Sequence, residues 1–210
     1  MSPTPPDLHA AYALTSPEDN KRLYADWARD YDDSFAAHED YQLHIHTARA
    51  FVRAGGQGPV LDVGAGTGLC GAVLSRLGVG PIDATDISSE MLDQAMRKDI
   101  YRDAVEADLT QGLPFRSNSY AGIVSSGTFT HGHLGPDVLP ALLRIARPGA
   151  LFTLSINAVH YQDLGFDRAL NALTQDQIRN LLLPPVRIYG DLATGPNKDD
   201  EALIAVFEKV

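Results

Sequence analysis

The sequence predicts an α/β protein whose seven-stranded sheet is mostly parallel, ends in an antiparallel hairpin and carries helices on both faces. Three observations support this prediction: short apolar stretches alternate with helical ones, a glycine-rich loop joins the first strand to a helix, and no helix separates the last two strands. The first five strands are predicted at 59–63, 81–86, 104–107, 120–125 and 150–157. The helices that alternate with them are predicted at 69–77, 89–98 and 138–146.

The last third of the chain follows a different pattern. The capping-box spacing of Thr174 and Gln177 predicts a helix over 174–182. Two strands are predicted after it, at 186–189 and 202–208. Because no crossover helix fits between these two strands, we expect them to pair antiparallel as a hairpin.

The N-terminal part of the chain precedes the alternating pattern. Residues 1–15 include three prolines and are predicted to form a loose tail. Ser16 as N-cap and Pro17 at the first helical position then predict a helix that runs to about residue 30. A second helix is predicted at 41–54, where two glycines follow it.

Composition limits the possible partners. The 210 residues contain 17 basic and 27 acidic side chains, a formal net charge of −10. This charge would repel a nucleic acid at long range, so we expect a small molecule or a protein side chain as substrate. The single cysteine, Cys70, indicates a reducing compartment, and no signal peptide or membrane span is recognised. The predicted location is the cytoplasm.

The glycine loop is the most informative motif. It follows Asp62 and places Gly64, Gly66 and Gly68 one residue apart, directly before a helix. Glycine permits positive φ and close approach of a ligand, and a helix N-terminus attracts a carboxylate or phosphate. A dinucleotide fingerprint would have glycine where Leu69 stands, and a P-loop would need a following Lys-Ser or Lys-Thr. The spacing therefore favours an amino-acid carboxylate, with a purely structural turn as the alternative.

Six segments in order resemble the class I S-adenosylmethionine-dependent methyltransferases, over roughly residues 20–210. They are Tyr31-Asp32, 61–68, 84–88 with Met91-Leu92, Ala107-Asp108-Leu109, 120–134 and Arg147-Pro148-Gly149-Ala150. The sequence is most similar to the methyltransferase-like proteins named after the Williams–Beuren syndrome region. The resemblance implies a Rossmann-like single domain over 16–210, with a helical lid over 16–56, and S-adenosylmethionine as cofactor.

The resemblance also assigns the nucleoside end of the cofactor. Asp86, at the end of the second predicted strand, would accept hydrogen bonds from both ribose hydroxyls. Ile87 and Met91 would enclose the adenine ring, Asp108 would accept from its amino group, and the Leu109 N–H would donate to a ring nitrogen. Each residue also has a structural alternative. Asp86 would cap the next helix, although Ser88 is the better cap; Asp108 would be a turn residue, and the apolar side chains would be core.

The methionine end of the cofactor is assigned in the same way. The loop residues expected to bind it are Gly64, Ala65, Gly66, Thr67, Gly68 and Leu69. Asp62 stands where the family commonly has an acid near the cofactor's amino group, or it orders the loop itself. Tyr31 resembles the lid tyrosine that reaches the methionine end, and Ser125 is expected to contact the cofactor from the fourth strand.

The acceptor side is less specific. His131 and His133 follow the fourth strand, where a histidine could remove a proton from an oxygen or nitrogen acceptor, although a structural or lining role is the alternative. Thr130, Asn157 and His160 are expected to line the acceptor site. The two histidines with Asp137 could also suggest a metal site, but nothing in the sequence favours one, so no metal is expected.

The predicted function is transfer of a methyl group to an oxygen, nitrogen or sulfur atom of a small molecule. Ser125-Ser126-Gly127 stands where the family's Asn-Pro-Pro-Tyr-type motif for nucleic-acid or glutamine methylation would be. The alternatives are a non-catalytic sensor of S-adenosylmethionine or S-adenosylhomocysteine, and a protein side-chain methyltransferase. An NAD-dependent oxidoreductase is a third hypothesis.

Overall fold

Eight strands form one sheet in the structure, a computed structural model that describes residues 22–23, 28, 31, 39–130 and 134–210. The strands are β1 (Val60–Val63), β2 (Ile82–Asp86), β3 (Asp103–Glu106), β4 (Tyr120–Phe129), β5 (Ala146–Asn157), β6 (Ile178–Leu182), β7 (Pro185–Arg187) and β8 (Glu201–Lys209). Their order is β3-β2-β1-β4-β5-β8-β6, and β7 also pairs with β8. The sheet order changes direction between β1 and β4, which is where open α/β sheets bind ligands.

The pairing confirms the predicted fold class. Strands β1 to β5 are parallel, whereas β8 runs antiparallel to β5, β6 and β7. The predicted C-terminal hairpin is present, because Val186 of β7 pairs with Ala202 of β8. The sheet has one strand more than predicted, because residues 178–182 form the additional strand β6. Strands β6 and β7 pair with opposite ends of the same neighbouring strand, β8.

Helices cover both faces of the sheet, as predicted. In the described ranges they are α1 (Leu43–Arg53), α2 (Leu69–Arg76), α3 (Ser89–Met96), α4 (Leu139–Ile145), α5 (Ala158–Asp163) and α6 (Phe166–Leu173). One buried cluster contains side chains of α1, α2 and α3, and the other contains side chains of α4 and α6. Within the same ranges, no helix has the length and apolar character that crossing a bilayer requires.

The N-terminal predictions are covered only in part. The predicted tail, residues 1–15, and most of the helix predicted over 16–30 lie outside the described residues. Of that predicted helix, residues 22–23 are described and are helical. The helix predicted at 41–54 corresponds to α1. Its Phe51 ring packs against Gly122 of β4, which fixes α1 on the sheet.

The helix predicted over 174–182 is wrong. Helix α6 ends at Leu173, and Thr174 is its C-cap, donating its hydroxyl to the Asn171 carbonyl (2.7 Å). The chain then forms β6, whose Ile178 pairs with Lys209 of β8 and is 2% exposed. Pairing with a distant strand and burial of Ile178 outweigh the local capping signal, which cannot register a partner some thirty residues away.

Candidate cofactor site

The glycine loop has the backbone conformation that its sequence predicts. Gly64, Gly66 and Gly68 all have positive φ, at 64°, 55° and 89°. The N–H groups of Gly64 and Ala65 donate to the Thr85 carbonyl of β2 at 2.8 and 3.1 Å. The loop is therefore anchored on the neighbouring strand immediately before it turns into α2.

Gly64 and Gly66 are needed for different reasons. A Cβ on Gly64 would collide with the side chain of Thr128 on β4, so this glycine permits close packing between the loop and the next strand. A Cβ on Gly66 would meet no atom within 4 Å. The space in front of Gly66 is thus open, and a ligand can approach its backbone there.

Asp86 connects the loop to β2. Its Oδ2 accepts from the Gly66 N–H at 2.8 Å, and its Oδ1 accepts from the Ser88 N–H at 3.0 Å. Ser88 is the N-cap of α3, as predicted, because its hydroxyl accepts from the Met91 N–H at 3.2 Å. Burial raises the pKa of Asp86, while backbone N–H groups of Ser88, Gly66 and Ile87 act in the opposite direction.

The Asp86 carboxylate is half-buried at the carboxyl edge of the sheet. A carboxylate has about four acceptor sites, so each oxygen keeps capacity for a ligand hydroxyl beside its backbone bond. The predicted ribose contact and the bracing of the loop are therefore compatible at this residue. The ribose contact itself stays a prediction.

Asp62 lies beneath the loop and is 0% exposed. Its Oδ2 accepts from the hydroxyl of buried Tyr101 at 2.7 Å, and its Oδ1 has no hydrogen-bond partner among the residues that the structure describes. Burial raises the pKa of Asp62 to about 6, although the Tyr101 hydroxyl and the Gly71 amide favour the carboxylate. These bonds come from Tyr101 and from α2 rather than from glycine-loop amides, so both roles weighed for Asp62 stay predictions.

A lysine that the sequence reasoning missed braces the loop from the end of α3. The Lys98 ammonium donates to the Thr67 carbonyl at 2.7 Å. Thr67 is 3% exposed, while Leu69 at the start of α2 is half-buried. No motif in the sequence relates Lys98 to a residue 31 positions earlier, so only the fold identifies this contact.

The residues assigned to the adenine end follow β2 and β3. Asp108 caps a short 3-10 turn over Leu109–Gln111, accepting from the Thr110 N–H at 2.8 Å and its hydroxyl at 2.6 Å. Asp108 is thus a turn residue, the structural alternative given for it, and its Oδ1 accepts both bonds. Met91 is 1% exposed and is a core residue here, whereas Ile87 is half-buried at the edge of the sheet.

Strand β4 extends four residues beyond its predicted end and contains a bulge beside the loop. The register with β5 shifts between Ser125 and Phe129, and Gly127 within this segment has a φ of 79°. Ser125 and Thr128 both donate to the Val63 carbonyl, at 2.8 and 3.1 Å. The Ser125 side chain is fully buried on this carbonyl, so it supports the end of β1.

The residues assigned to the acceptor side are placed in part. His131 and His133 lie outside the described residues. Thr130 is half-buried just after β4. Asn157 caps α5, its Oδ1 accepting from the N–H groups of Val159 and His160 at 3.0 and 3.2 Å.

His160 and Tyr31 each have a packing role. The Nε2 atom of His160 lies 2.8 Å from the Leu134 carbonyl, at the segment that follows the two histidines of the sequence motif. Tyr31 is half-buried and packs against the cluster formed by α1, α2 and α3. Asn157 and His160 therefore have structural functions, and their predicted contact with an acceptor stays a prediction.

The arrangement fits a nucleoside with an amino-acid tail. The open backbone at Gly66 and the N-terminus of α2 suit a carboxylate, and Asp86 on the next strand suits two neighbouring hydroxyls. A half-buried apolar side chain, Ile87, follows Asp86 at the same edge. The residues of this site thus match the donor and acceptor groups of S-adenosylmethionine.

Comparison with known proteins gives partial matches to methyltransferases. Residues 60–149 match the family described as "Methyltransferase domain". The chain is 42% identical over 69 residues to the 18S rRNA (guanine-N(7))-methyltransferase of Mus musculus, covering 31% of this chain and 23% of that protein. It is 28% identical over 174 residues to methyltransferase-like protein 27 of Homo sapiens, covering 79% of this chain and 68% of that one.

Solved structures share the fold at low sequence identity. A putative S-adenosylmethionine-dependent methyltransferase of Methanococcus maripaludis has a TM-score of 0.59 at 16% identity, covering 88% of this chain and 92% of that chain. The DhpI complex with SAH has a TM-score of 0.65 at 20% identity, covering 92% and 96%. The chain therefore has the methyltransferase fold, while its match spans about a quarter of the length of the rRNA enzymes.

Proposed function

We propose that this chain, which has the class I methyltransferase fold, is an S-adenosylmethionine-dependent methyltransferase that acts on a small molecule. The observation that carries the proposal is the hydrogen bond from the Gly66 N–H to Asp86. This bond joins the glycine loop and the β2 carboxylate into one site, so a single ligand with a carboxylate at one end and a diol at the other contacts both. The methyltransferase domain match over 60–149 includes both residues.

The cofactor supplies an activated methyl group, and the protein aligns the acceptor and excludes water. The open side of the glycine loop at Gly66 and the N-terminus of α2 receive the amino-acid tail, Asp86 holds the ribose, and Asp108 with the Leu109 amide contacts the adenine. Ser125 contributes indirectly, because its hydroxyl donates to the Val63 carbonyl and so supports the end of β1. His131 or His133 takes the acceptor proton where the acceptor atom carries one.

The lid is assigned to residues 16–56. Because α1 is fixed on the sheet through Phe51, we assign closure to the part before it, which includes Tyr31. S-adenosylhomocysteine is expected to slow proteolysis within 16–38. Equal cleavage with and without the ligand would exclude a closing lid.

A small acceptor with an oxygen, nitrogen or sulfur nucleophile fits the net charge of −10, which opposes an RNA or DNA partner. The Ser125-Ser126-Gly127 segment supports the same choice, since an Asn-Pro-Pro-Tyr-type motif is absent from the sequence there. We place the chain near the methyltransferase-like proteins named after the Williams–Beuren syndrome region, and its long match to human methyltransferase-like protein 27 supports a group of this kind. The cytoplasm is the proposed location.

A guanine base in RNA is the second candidate acceptor. The observation in its favour is the 42% identity over 69 residues to an 18S rRNA (guanine-N(7))-methyltransferase. That match covers less than a third of the chain, and the net charge of −10 argues against an RNA acceptor. An assay with both acceptor classes separates the two candidates.

The deciding experiment has two parts. Calorimetry with S-adenosylmethionine and S-adenosylhomocysteine tests the site, and absence of binding to both would refute the proposal. Transfer of a labelled methyl group is then measured to a panel of phenols, amines and thiols, and to ribosomal RNA. Label on a small molecule supports the proposal, label on RNA supports the second candidate, and binding without any transfer supports a non-catalytic sensor.

A further inference from the structure

The segment between α3 and β3 lies beneath the glycine loop and contacts both the loop and the strand before it. Lys98 donates to the Thr67 carbonyl, and the Tyr101 hydroxyl donates to Asp62 Oδ2 at 2.7 Å. The two contacts reach the strand residue that precedes the loop and a residue within the loop. This segment therefore supports the loop from below.

Tyr101 occupies a position that two glycines create. A Cβ on Gly68 would lie 2.8 Å from the Tyr101 ring, and one on Gly71 would collide with its hydroxyl. Tyr101 is 7% exposed, so its hydroxyl is inserted between the first turn of α2 and the Asp62 carboxylate. Any larger residue at Gly71 would displace the hydroxyl from Asp62.

We propose that Tyr101 is a positioning residue of the cofactor site: its hydrogen bond keeps Asp62 as a carboxylate beneath the loop, where the negative charge attracts the ammonium group of the cofactor's amino-acid tail. The inference rests on the proposed function. Because Asp62 is fully buried, it acts across the loop by charge, and low polarity strengthens that attraction relative to water. Its Oδ1, without a hydrogen-bond partner among described residues, leaves the charge only partly neutralised.

Within the described ranges, the titratable groups that face Asp62 are Tyr101, Cys70 and Asp86. Burial raises the pKa of the Cys70 thiol and of the Tyr101 hydroxyl well above their usual values, so both remain neutral near neutral pH. Asp86 lies nearby, and its charge opposes ionisation of Asp62. The pKa of Asp62, about 6, therefore makes this carboxylate sensitive to the loss of a single hydrogen bond.

The test is the affinity for S-adenosylhomocysteine between about pH 5 and pH 7.5, measured by calorimetry for the wild type and Tyr101→Phe. In the wild type, affinity should fall with decreasing pH as Asp62 takes up a proton. The variant should reach half-maximal affinity about one pH unit higher, because the lost bond had favoured the carboxylate. Its affinity should be about fivefold lower near pH 6 and approach that of the wild type at pH 7.5.

Tyr120→Phe is the matched control. It removes another buried tyrosine hydroxyl from a buried carboxylate, Asp83, at 3.0 Å, away from the glycine loop. Its pH profile should equal that of the wild type. A purely structural role for Tyr101 predicts weaker binding at every pH, or the same change in both variants, and either result would overturn the inference.

Asp62→Asn provides a second variant that needs no change at Tyr101. Its affinity should be lower than that of the wild type at pH 7.5 and should fall less than the wild type's as the pH is lowered to 5. Unchanged affinity at pH 7.5 would overturn the inference while leaving the proposed function intact. Failure of the wild type to bind S-adenosylhomocysteine at any pH would instead refute the proposed function, and this inference with it.

Discussion

Single residues in this protein combine structural and binding functions. Asp86 accepts from backbone N–H groups on both sides, one in the glycine loop and one at the start of α3. Such bonds prearrange the carboxylate before a ligand arrives, which lowers the cost of ordering it on binding. Asp108 is similar, because it caps a turn and lies at the same edge of the sheet.

Asp86→Ala is expected to weaken S-adenosylhomocysteine binding by about 1–3 kcal/mol, since both the ribose contacts and the bond to Gly66 are lost. Calorimetry at pH 7.5 measures the change. Asp93→Ala, which removes an exposed carboxylate on α3, should leave the affinity unchanged. Equal affinity of the Asp86 variant and the wild type would reduce Asp86 to a structural residue.

Asp62 should make the folded state less stable as pH rises. Its pKa is about 6 in the folded chain against an ordinary value of 3.8, so between these values the folded chain holds a proton that the unfolded chain has released. Stability from this group therefore falls through this window, by on the order of 3 kcal/mol. Urea unfolding should show a smaller loss between pH 4 and pH 7 for Asp62→Asn. Parallel curves for the two proteins would contradict this prediction.

At the scale of elements, two glycine substitutions can separate the cost of backbone strain from the loss of ligand binding. Gly66 and Gly78 both have positive φ, and a Cβ added to either would meet open space, but Gly78 lies in the turn after α2, at the opposite edge. Gly66→Ala and Gly78→Ala should each lower the free energy of unfolding by about 1–2 kcal/mol. Only Gly66→Ala should also reduce affinity for S-adenosylhomocysteine, by about tenfold or more, because its methyl group occupies ligand space. Equal affinity in both variants would show that no ligand approaches Gly66.

Strand β6 is stabilised by burial that its local sequence does not indicate. Ile178→Ala is expected to lower the free energy of unfolding by about 2–4 kcal/mol, because Ile178 is 2% exposed. Leu182→Ala, at the other end of the strand and 63% exposed, should change it by less than about 0.5 kcal/mol. Denaturant unfolding distinguishes the two, and similar small effects would contradict the assignment of β6.

At the scale of the whole molecule, the part of the chain that the structure describes is one sheet with a buried cluster on each face. The candidate site lies where the sheet order changes direction, between β1 and β4, and draws residues from β1, β2, β3 and β4. A ligand that binds there contacts several elements of both clusters. Its binding energy is therefore expected to stabilise the fold as a unit.

S-adenosylhomocysteine at about 100 times its dissociation constant should stabilise the folded chain by about 2.7 kcal/mol. For a chain of this size, that corresponds to a rise in melting temperature of roughly 5–10 °C. Thermal unfolding followed by circular dichroism measures the shift, with NAD as the control ligand. A comparable rise in melting temperature with NAD would favour the oxidoreductase hypothesis.

Prediction from sequence succeeded where local patterns are sufficient. The alternation of strands and helices, the positive φ of the loop glycines and the Ser88 cap depend on residues close together in the chain. It failed for 174–182, where pairing with β8 decides the structure. It also missed Tyr101 and Lys98, because their contacts join residues 39 and 31 positions apart.

The sequence by itself determined the order of the elements, the α/β class and the position of a glycine loop between the first strand and its helix. These properties follow from hydrophobic periodicity and from the backbone freedom of glycine, both of which are local. Only the tertiary structure decided that Asp86 binds the loop through Gly66, that Asp62 is buried under it against Tyr101, and that the last third of the chain adds β6 to the sheet. The reason is that burial and hydrogen bonding between distant segments depend on which surfaces meet, and no local pattern contains that information.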